Sequence, residues 1–351
     1  MDSNNIDFEL SEKEQLILAT LFAIESNPKD EETNAYILDG NRRILLNLSG
    51  IQAVIQPHIS EDIPSSYLES LIEKKFLTVK NDFYSLTEEG TALGKKIRGK
   101  FVAKIYDNQL ITCAKSEAYN KFCEQVYGKN LLQFNVVDFQ QLDLMLEKLK
   151  IKSNEAVLDL GCGLGKITEY LAEKTNAHFT AIDLSQKAIE WANEHTNVSE
   201  KLKFEAMDIN ELTYPPNSFD VIIALDVIYW IKDLTPVIKK LKDILKPNGR
   251  MGFFYVQFQN PKNPKEVLTP ENTILAKLLK QNDFDYEVID VSQIAVELWK
   301  RKLEVGKELR PQFLEEGNQD IIDERISSGE SVLEKFKNKE QKRYFFYVKK
   351  N

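Results

Sequence analysis

The second half of the chain alternates short apolar runs with helical patterns, and this alternation constrains the fold more than any other feature. The apolar runs cover residues 156–160, 177–183, 201–207, 219–225 and 251–258. Alternation of this kind predicts a parallel sheet that is covered by helices on both faces. Ligands of such sheets bind at the carboxyl ends of the strands. We therefore expect the functional residues where these runs end.

Four of the five runs end at or beside an aspartate, namely Asp159, Asp183, Asp208 and Asp226. Because the carboxyl ends of parallel strands meet at one edge of a sheet, these four carboxylates are expected to lie close together. A merely solvated face would not place an acidic residue after nearly every strand. The pattern predicts a ligand site with several carboxylate acceptors.

A glycine-rich turn, Gly161 to Gly165, follows the first of these aspartates. Glycine lets the backbone approach a ligand closely and adopt φ angles that other residues resist. The dinucleotide fingerprint G-x-G-x-x-G would need a third glycine where this chain has Lys166. Asp159 would also repel a pyrophosphate and attract a cation. A ligand that carries an ammonium group therefore fits this turn better than NAD does.

The segment VLDLGCGLGKIT, which contains this turn, is similar to motif I of the class I S-adenosylmethionine-dependent methyltransferases. The similarity continues in order and spacing through AIDLSQKAIEWA, MDINEL, FDVIIALDVIYWI and LKPNGRMGFFYV, and covers about residues 150–258. It implies an α/β fold with a Rossmann-like seven-stranded sheet and an antiparallel hairpin at the C-terminal edge. Residues 286–292 and 343–350 are the candidate strands of that hairpin. The implied cofactor is S-adenosyl-L-methionine, and the implied activity is methyl transfer to a small molecule.

The resemblance also assigns cofactor contacts to residues at the strand ends: Asp159, Gly161, Cys162, Gly163, Asp183, Leu184, Asp208, Ile209 and Leu225. It implies that Asp159 and the glycine turn hold the methionine portion of the cofactor. Asp183 would accept both ribose hydroxyls, because a carboxylate has two acceptor oxygens. Leu184 would pack on the adenine, and Asp208 would accept from the adenine amino group.

The methyl acceptor is expected beside Leu225 and Asp226. Transfer to a neutral amine needs positioning more than acid–base help, whereas a hydroxyl acceptor usually needs a base such as histidine. The three histidines, His58, His178 and His195, do not lie at the carboxyl end of a predicted strand. The sequence therefore favours a nitrogen acceptor over an oxygen acceptor. The candidate catalytic residues are Asp226, Tyr229 and Tyr255, with Glu316 as a further candidate base.

Two segments that flank the cofactor domain carry aromatic residues expected to line the acceptor pocket. The first, residues 116–135, lies where related small-molecule methyltransferases have a lid. The second, about residues 293–342, is a helical insertion between the two edge strands. The candidate acceptor or lid residues are Tyr119, Tyr127, Phe134, Trp230 and Trp299. Ordinary helix packing and a solvated surface are the alternative interpretations of these segments.

The first hundred residues are organised differently, as helices followed by a short β-hairpin. Ser11 and Glu14 have the spacing of a capping box before an apolar helix. A further helical pattern covers about residues 32–46, and Lys80-Asn81-Asp82 separates two β-prone runs. This order resembles a winged helix over about residues 10–100.

The chain is therefore expected to contain three segments: a winged-helix-like domain over 1–100, a helical linker or lid over 101–150, and a methyltransferase domain over 151–351. The first segment is acidic, whereas a surface that binds phosphates needs an excess of positive charge. We expect this segment to mediate homodimerisation or to help enclose the active site.

Composition limits the partners and the compartment. The net charge of −9 disfavours nucleic acid as a partner, and the longest apolar stretch, residues 221–231, is too short to span a membrane. Neither the cysteine spacing nor the acidic residues indicate a metal site, and the odd number of cysteines and the acidic N-terminus favour the cytoplasm. The alternative functions are a winged-helix regulator that senses S-adenosylmethionine, and a protein or RNA methyltransferase.

Overall fold

The computed structural model describes residues 10–25, 29–30, 35–37, 43–55, 64–231, 233–259 and 267–350. The chain divides into two compact units, residues 1–105 and 106–351. The boundary lies inside one continuous helix, α4 (Glu88–Lys115). Most of the segment 101–150, expected as a linker or lid, lies in the second unit.

The first unit contains three helices, a small sheet and a hairpin before α4. Its elements are α1 (Glu12–Glu25), β1 (Lys29–Asp30), β2 (Ala35–Ile37), β3 (Arg43–Ile44), α2 (Leu48–Ile55), α3 (Ser65–Glu73), β4 (Leu77–Lys80) and β5 (Phe83–Leu86). The helix expected over about 32–46 was wrong, because β2 and β3 occupy this segment and pair with each other. The helices α1–α3 and the hairpin β4–β5 follow one another in the order of a winged helix.

Local sequence explains the start of α1 and the turn of the hairpin β4–β5. Ser11 and Glu14 form the expected capping box, with the Ser11 backbone N–H donating to Glu14 Oε2 at 2.7 Å. In the hairpin, Lys80 pairs with Phe83, so the turn has only two residues. Those residues, Asn81 and Asp82, have φ angles of +51° and +64°. Two positive φ angles are typical of the type I′ turn that two-residue hairpins favour.

The second unit is built on a seven-stranded sheet, as the sequence predicted. Its strands are β6 (Ala156–Leu160), β7 (His178–Asp183), β8 (Leu202–Ala206), β9 (Phe219–Leu225), β10 (Leu245–Phe258), β11 (Phe284–Asp290) and β12 (Gln341–Lys350). Their order in the sheet is β11-β12-β10-β9-β6-β7-β8. Strands β6 to β10 are parallel, and β12 runs antiparallel to both β10 and β11. The predicted antiparallel hairpin at the C-terminal edge is confirmed.

Helices cover both faces of this sheet. They are α5 (Glu117–Tyr127), α6 (Phe139–Leu149), α7 (Lys166–Thr175), α8 (Gln186–His195), α9 (Leu234–Ile244), α10 (Ile274–Gln281), α11 (Ser292–Glu315) and α12 (Gln319–Lys337). Helices α9 and α10 pack on one face, and α6 to α8 on the other. Each face thus buries an apolar layer, which explains why the central strands are apolar almost throughout.

The insertion between the edge strands forms the helix pair α11–α12. Phe313 of α11 and Phe122 of α5 are fully buried in one apolar cluster, so the pair packs on the predicted lid segment. In the described part of the chain, no helix is both long enough and apolar enough to cross a membrane. The strand order reverses between β6 and β9, which places the expected ligand site at the carboxyl ends of these two strands.

Candidate functional site

The glycine turn lies directly after β6 and opens towards this strand edge. Gly161 has a φ of +76°, and a Cβ there would lie 2.8 Å from a Val227 methyl carbon. Gly163 has a φ of +53°, and a Cβ there would meet nothing within 4 Å. The turn is thus packed on one side and leaves open space above Gly163. A ligand can therefore approach the backbone there.

Asp183 ends β7 and supports the glycine turn from the neighbouring strand. Its Oδ2 accepts from the Gly163 backbone N–H at 2.8 Å, and its Oδ1 accepts from the Ser185 N–H at 2.9 Å. Burial raises the pKa of this carboxyl against the lowering effect of both N–H donors. The ribose contact assigned to Asp183 by the resemblance stays a prediction.

Asp159 ends β6 beneath the turn and has one unsatisfied oxygen. Its Oδ2 accepts from the Thr168 hydroxyl at 2.6 Å, whereas its buried Oδ1 has no hydrogen-bond partner. Burial, together with the negative charge of Asp183, raises the pKa of Asp159 to about 7, although the Thr168 hydrogen bond lowers it. Because a buried acceptor without a donor is costly, this oxygen is a natural place for a ligand's ammonium group.

Leu184 and Asp208 lie at the ends of β7 and β8, as expected. Leu184 is 45% exposed, which leaves an apolar surface for a flat ring. Asp208 caps the short turn Ile209–Glu211, and its Oδ1 accepts from the Asn210 backbone N–H at 2.8 Å. Cys162 is partly buried, and burial raises the pKa of its thiol.

These features fit S-adenosylmethionine. The cofactor would place its amino-acid portion over Gly163 and near the unsatisfied oxygen of Asp159, and its adenosine portion along Asp183 and Leu184. In the described part of the chain, no group of three or more His, Cys, Asp or Glu residues could hold a metal ion.

Asp226 follows β9 with a φ of +66°, and its carboxylate is held on several sides. Arg343 of β12 donates to both oxygens, with Nη2 to Oδ2 at 2.9 Å. The Val136 backbone N–H donates to Oδ2 at 2.8 Å. The ion pair is buried, with side chains that are only 4% and 1% exposed. Hydrogen bonds from the guanidinium already occupy both oxygens of this carboxylate, so its contacts do not favour the expected role of Asp226 as a base, which stays a prediction.

Tyr229 and Tyr255, which were also proposed as bases, lie nearby but are poorly suited to that role. The Tyr229 hydroxyl donates to Asp226 Oδ1 at 3.3 Å, and burial raises its pKa well above the usual range. Burial raises the pKa of Tyr255 to about 12. Both hydroxyls therefore stay protonated at neutral pH. The ring of Tyr229 contacts Trp230, which is 74% exposed at the mouth of the site.

Glu316, the last candidate base, lies at the end of α11, and His178 and His195 lie on β7 and α8. Glu316 accepts from the Ser116 hydroxyl at 2.5 Å and from the Ala118 backbone N–H at 2.7 Å, so it stabilises the start of α5. His195 ends α8 and stacks on Trp191, with ring centroids 4.3 Å apart. His178 is exposed at the start of β7, and His58 lies outside the described residues.

The predicted lid aromatics surround two cations that sequence reasoning missed. Lys302 of α11 is 4% exposed, and its Nζ lies 4.3 Å from the Trp299 ring centroid and donates to the Asn135 carbonyl at 3.2 Å. The Arg325 guanidinium of α12 lies 4.0 Å from the Phe134 ring centroid, and its buried Nε has no hydrogen-bond partner. Among the residues that the structure describes, no carboxylate forms a salt bridge with either cation.

Electrostatics link these two cations. Burial, with the charge of Arg325 as the next cause, lowers the pKa of Lys302 to about 7, against the opposing effect of Asp226. The hydroxyls of Tyr119 and Tyr127 donate to the carbonyls of Gln133 and Asn135, which fixes the lid segment beside the cations. Buried charges are usually paired, and neither cation forms a salt bridge with a described carboxylate, so this place is a candidate for an anionic group of a ligand.

A helical pattern could have revealed Lys302. The buried residues of α11 recur at helical spacing, through Ala295, Leu298, Val305 and Leu309, and Lys302 takes a position in this stripe. A lysine in an apolar stripe is either snorkelling to solvent or buried for a reason. We find no comparable sequence signal for Arg325.

Comparisons with known proteins agree with this geometry. Residues 151–317 match a family described as a methyltransferase domain. The chain is 28% identical over 240 residues to phosphoethanolamine N-methyltransferase 1 from Arabidopsis thaliana, which covers 65% of this chain and 48% of the relative. The chain thus spans about half the length of the curated relatives it matches.

Solved structures share the fold. Haemonchus contortus phosphoethanolamine N-methyltransferase 2, in complex with phosphomonomethylethanolamine and S-adenosylhomocysteine, matches with a TM-score of 0.58 at 21% identity, over 70% of this chain and 60% of that one. The Mycobacterium tuberculosis cyclopropane synthase MmaA2 matches with a TM-score of 0.55 at 12% identity, over 68% of this chain and 95% of that one.

Proposed function

We propose that the protein is a class I methyltransferase that transfers a methyl group from S-adenosylmethionine to the amino group of a small anionic acceptor, because residues 151–317 match a family described as a methyltransferase domain. Phosphoethanolamine is the acceptor class that the names of the similar proteins suggest. The observation that carries this proposal is the pair of Lys302, which is 4% exposed, and Arg325, whose Nε is buried: both lie among the lid aromatics, and no described carboxylate forms a salt bridge with either.

The cofactor end of the site would be built from the strand ends. When bound, S-adenosylmethionine supplies an electrophilic methyl group on a sulfonium. Asp159 and Gly163 would hold its amino-acid portion, and Asp183 would accept from the ribose hydroxyls. Leu184 would cover the adenine, with Asp208 and Ile209 at its edge. Leu225, at the end of β9, would lie beside the transferring methyl group.

The acceptor would be held at its anionic end. Lys302 and Arg325 would bind the phosphate, as buried cations bind anions in charge-assisted hydrogen bonds. The amine would then point towards the strand ends, where Tyr229 and Tyr255 wall the site. Holding the acceptor at one end orients its amine for attack, which supplies much of the barrier reduction in a two-substrate reaction.

The reaction needs a neutral amine but no dedicated base. Burial disfavours a charged ammonium, and the nearby positive charges of Lys302 and Arg325 disfavour it further. The amine would therefore lose its proton to water on entering the pocket. As the new N–C bond forms, the S–C bond breaks, which leaves S-adenosylhomocysteine, and the product leaves as the methylated ammonium ion, the form that is stable in water at neutral pH.

The direct test is transfer of a labelled methyl group to a panel of acceptors: phosphoethanolamine, ethanolamine, a phenol, total protein and total RNA. We expect transfer to phosphoethanolamine and a KM at least tenfold higher for ethanolamine, because the phosphate contacts are charge-assisted. K302M should raise the KM for phosphoethanolamine. K300M is the matched control, because Lys300 lies on the same helix and its side chain is 58% exposed.

The outcome of the panel separates the alternatives. Transfer to ethanolamine as fast as to phosphoethanolamine would contradict an anionic acceptor. Transfer to protein or RNA alone would favour the macromolecular methyltransferase. Cofactor binding without transfer to any acceptor, together with salt-dependent DNA binding by the first unit, would favour the regulator.

For the first unit we infer homodimerisation or enclosure of the site, and for the protein a cytoplasmic location. The acidic composition of the unit supports a role other than binding DNA. The thiols Cys113, Cys123 and Cys162 are free, which supports the cytoplasmic location. Light scattering of the full chain and of a chain without residues 1–85 would test dimerisation. The same number of chains per particle in both would contradict that role.

A further inference from the structure

Among the charged groups around the proposed acceptor pocket, the cations outnumber the carboxylates. Three cations contribute, Lys302, Arg325 and Arg343, and each affects the pKa of a neighbouring group. Of the described carboxylates, Asp226 acts on both Lys302 and Arg343. Asp138 also acts on Arg343, but its Oδ1 already caps α6 by accepting from the Gln141 N–H at 3.0 Å. The partner that Asp226 takes therefore decides which cations are left for a ligand.

Asp226 is paired with Arg343 in the structure, and a ring of hydrogen bonds holds the pair. The guanidinium donates to both carboxylate oxygens through Nη1 and Nη2, and through Nε to Gln141 Oε1 at 3.1 Å. Gln141 Nε2 donates to the Val136 carbonyl at 2.8 Å, and the Val136 N–H donates back to Asp226. The four residues thus form a ring of hydrogen bonds.

This ring fixes the lid segment as well as the carboxylate. Val136 is held through both its backbone N–H and its carbonyl, and the adjacent Asn135 carbonyl accepts from Tyr127 and Lys302. Arg343 is 1% exposed, and its backbone N–H donates to the Ser292 hydroxyl oxygen at 2.9 Å. Arg343 therefore has little freedom to release Asp226.

We propose that Arg343 is a positioning residue that confines Asp226, so that the carboxylate cannot pair with Lys302 and the cations Lys302 and Arg325 stay open to the anionic group of the acceptor. This inference deepens the proposed function and rests on it for the identity of the acceptor. Physically, a buried carboxylate that loses its partner takes the nearest available cation, because an unpaired buried charge is costly.

The test measures the affinity for inorganic phosphate by calorimetry in the full chain. We expect R343M to weaken phosphate binding at least tenfold, because Asp226 then competes for Lys302. R343K keeps one charge beside Asp226 and should bind nearly as well as the unsubstituted chain. The double variant R343M/D226N removes the competing carboxylate and should restore phosphate binding.

The double variant distinguishes positioning from mere support of the fold. If Arg343 only supported the lid, R343M/D226N would bind phosphate as weakly as R343M, and the proposal would be overturned. Equal phosphate affinity in R343M and the unsubstituted chain would also overturn it. Binding of S-adenosylhomocysteine by each variant serves as the check on folding, since Asp159, Gly163 and Asp183, which would hold most of the cofactor, belong to β6, the glycine turn and β7.

The test also keeps the two proposals apart. The proposed function fails if the unsubstituted chain transfers methyl groups to none of the amines, whatever its affinity for phosphate. The positioning proposal fails if phosphate does not bind to the unsubstituted chain, or if the variants do not follow the expected order. In R343M that folds, the KM for phosphoethanolamine should rise with little change in kcat.

Discussion

Thr168 Oγ1 lies 2.6 Å from Asp159 Oδ2, and the second oxygen of this buried carboxylate has no partner. The hydroxyl therefore orients the carboxylate with one oxygen free. Thr168 is itself fully buried in the first turns of α7, so the arrangement is part of the connection between β6 and α7. The pair links the glycine turn to the place where a ligand's ammonium would lie.

Cofactor affinity should depend on the ionisation of Asp159. Its pKa of about 7 lies above the usual value, so the folded protein holds a proton there at pH 6 that the ammonium must displace. We expect the Kd for S-adenosylhomocysteine to fall as the pH rises from 5.5 to 7, by up to about tenfold per unit. Calorimetry in buffers of different ionisation enthalpy should detect proton release on binding.

The matched variant for this prediction is D159N, which keeps the shape of the side chain and removes its titration. It should bind the cofactor more weakly, with an affinity that is flat over the same pH range. A pH dependence that persists in D159N would assign the titration to another group and contradict the role of Asp159.

Gly163 should be essential for cofactor binding, and Gly128 offers a matched control. Both have positive φ angles, +53° and +81°, and a Cβ on either would meet nothing within 4 Å. An alanine at either position therefore has the same left-handed strain, about 1–2 kcal/mol of folding free energy. Only at Gly163 would the methyl group enter the space for the cofactor.

We accordingly expect G163A and G128A to lower the thermal midpoint by similar amounts, whereas only G163A should weaken cofactor binding. Differential scanning calorimetry and cofactor titration of both variants would measure this. If the two variants bind the cofactor equally well, the space over Gly163 is not the cofactor site.

The sheet was predictable from the sequence because its strands are local apolar runs. Residues of β6, β7 and β9 are nearly all buried, and their ends coincide with turn-forming or acidic residues. A hairpin around Lys80-Asn81-Asp82 was also predictable, because local backbone geometry decides such a turn, although the turn itself contains only Asn81 and Asp82. The short strands β2 and β3 were not, because strands of two or three residues leave no periodic pattern.

The function of the site was less predictable, because its decisive contacts join distant residues. Asp226 was expected to act as a base, yet the guanidinium that occupies it lies 117 positions later in the chain. Lys302 was overlooked in a segment rich in charged residues, where only burial separates it from its solvated neighbours. Sequence order does not record such pairings, whereas the family resemblance rests on contiguous motifs, from which the cofactor contacts could be predicted.

Acceptor binding should weaken as the pH rises above about 7. Burial, with Arg325 as the next cause, lowers the pKa of Lys302 to about 7, and Arg343 acts in the same direction while Asp226 and Cys123 oppose it. Only the protonated lysine attracts an anion. We expect the KM for phosphoethanolamine to rise between pH 7 and 9, by up to about tenfold per unit.

Through the same Lys302, the free energy of unfolding should depend on pH with the opposite sign to acceptor binding. Between pH 7 and about 10, Lys302 is protonated in the unfolded chain and largely neutral in the folded one, so the free energy of unfolding should rise with pH. K302M removes a buried charge and should raise the thermal midpoint at pH 7 while raising the KM for the acceptor. A variant that is less stable and binds the acceptor normally would contradict both roles.

Glu316 should contribute to stability and not to chemistry. Its carboxylate accepts from the Ser116 hydroxyl and the Ala118 backbone N–H, which joins the end of α11 to the start of α5. E316A leaves both donors without this partner and should lower the free energy of unfolding by about 1–2 kcal/mol. Because Glu316 has no role as a base, the pH profile of kcat should keep its shape in E316A, and E315A, at an exposed neighbouring position, should change neither quantity. Loss of a titration from the kcat profile of E316A would restore Glu316 as a catalytic candidate.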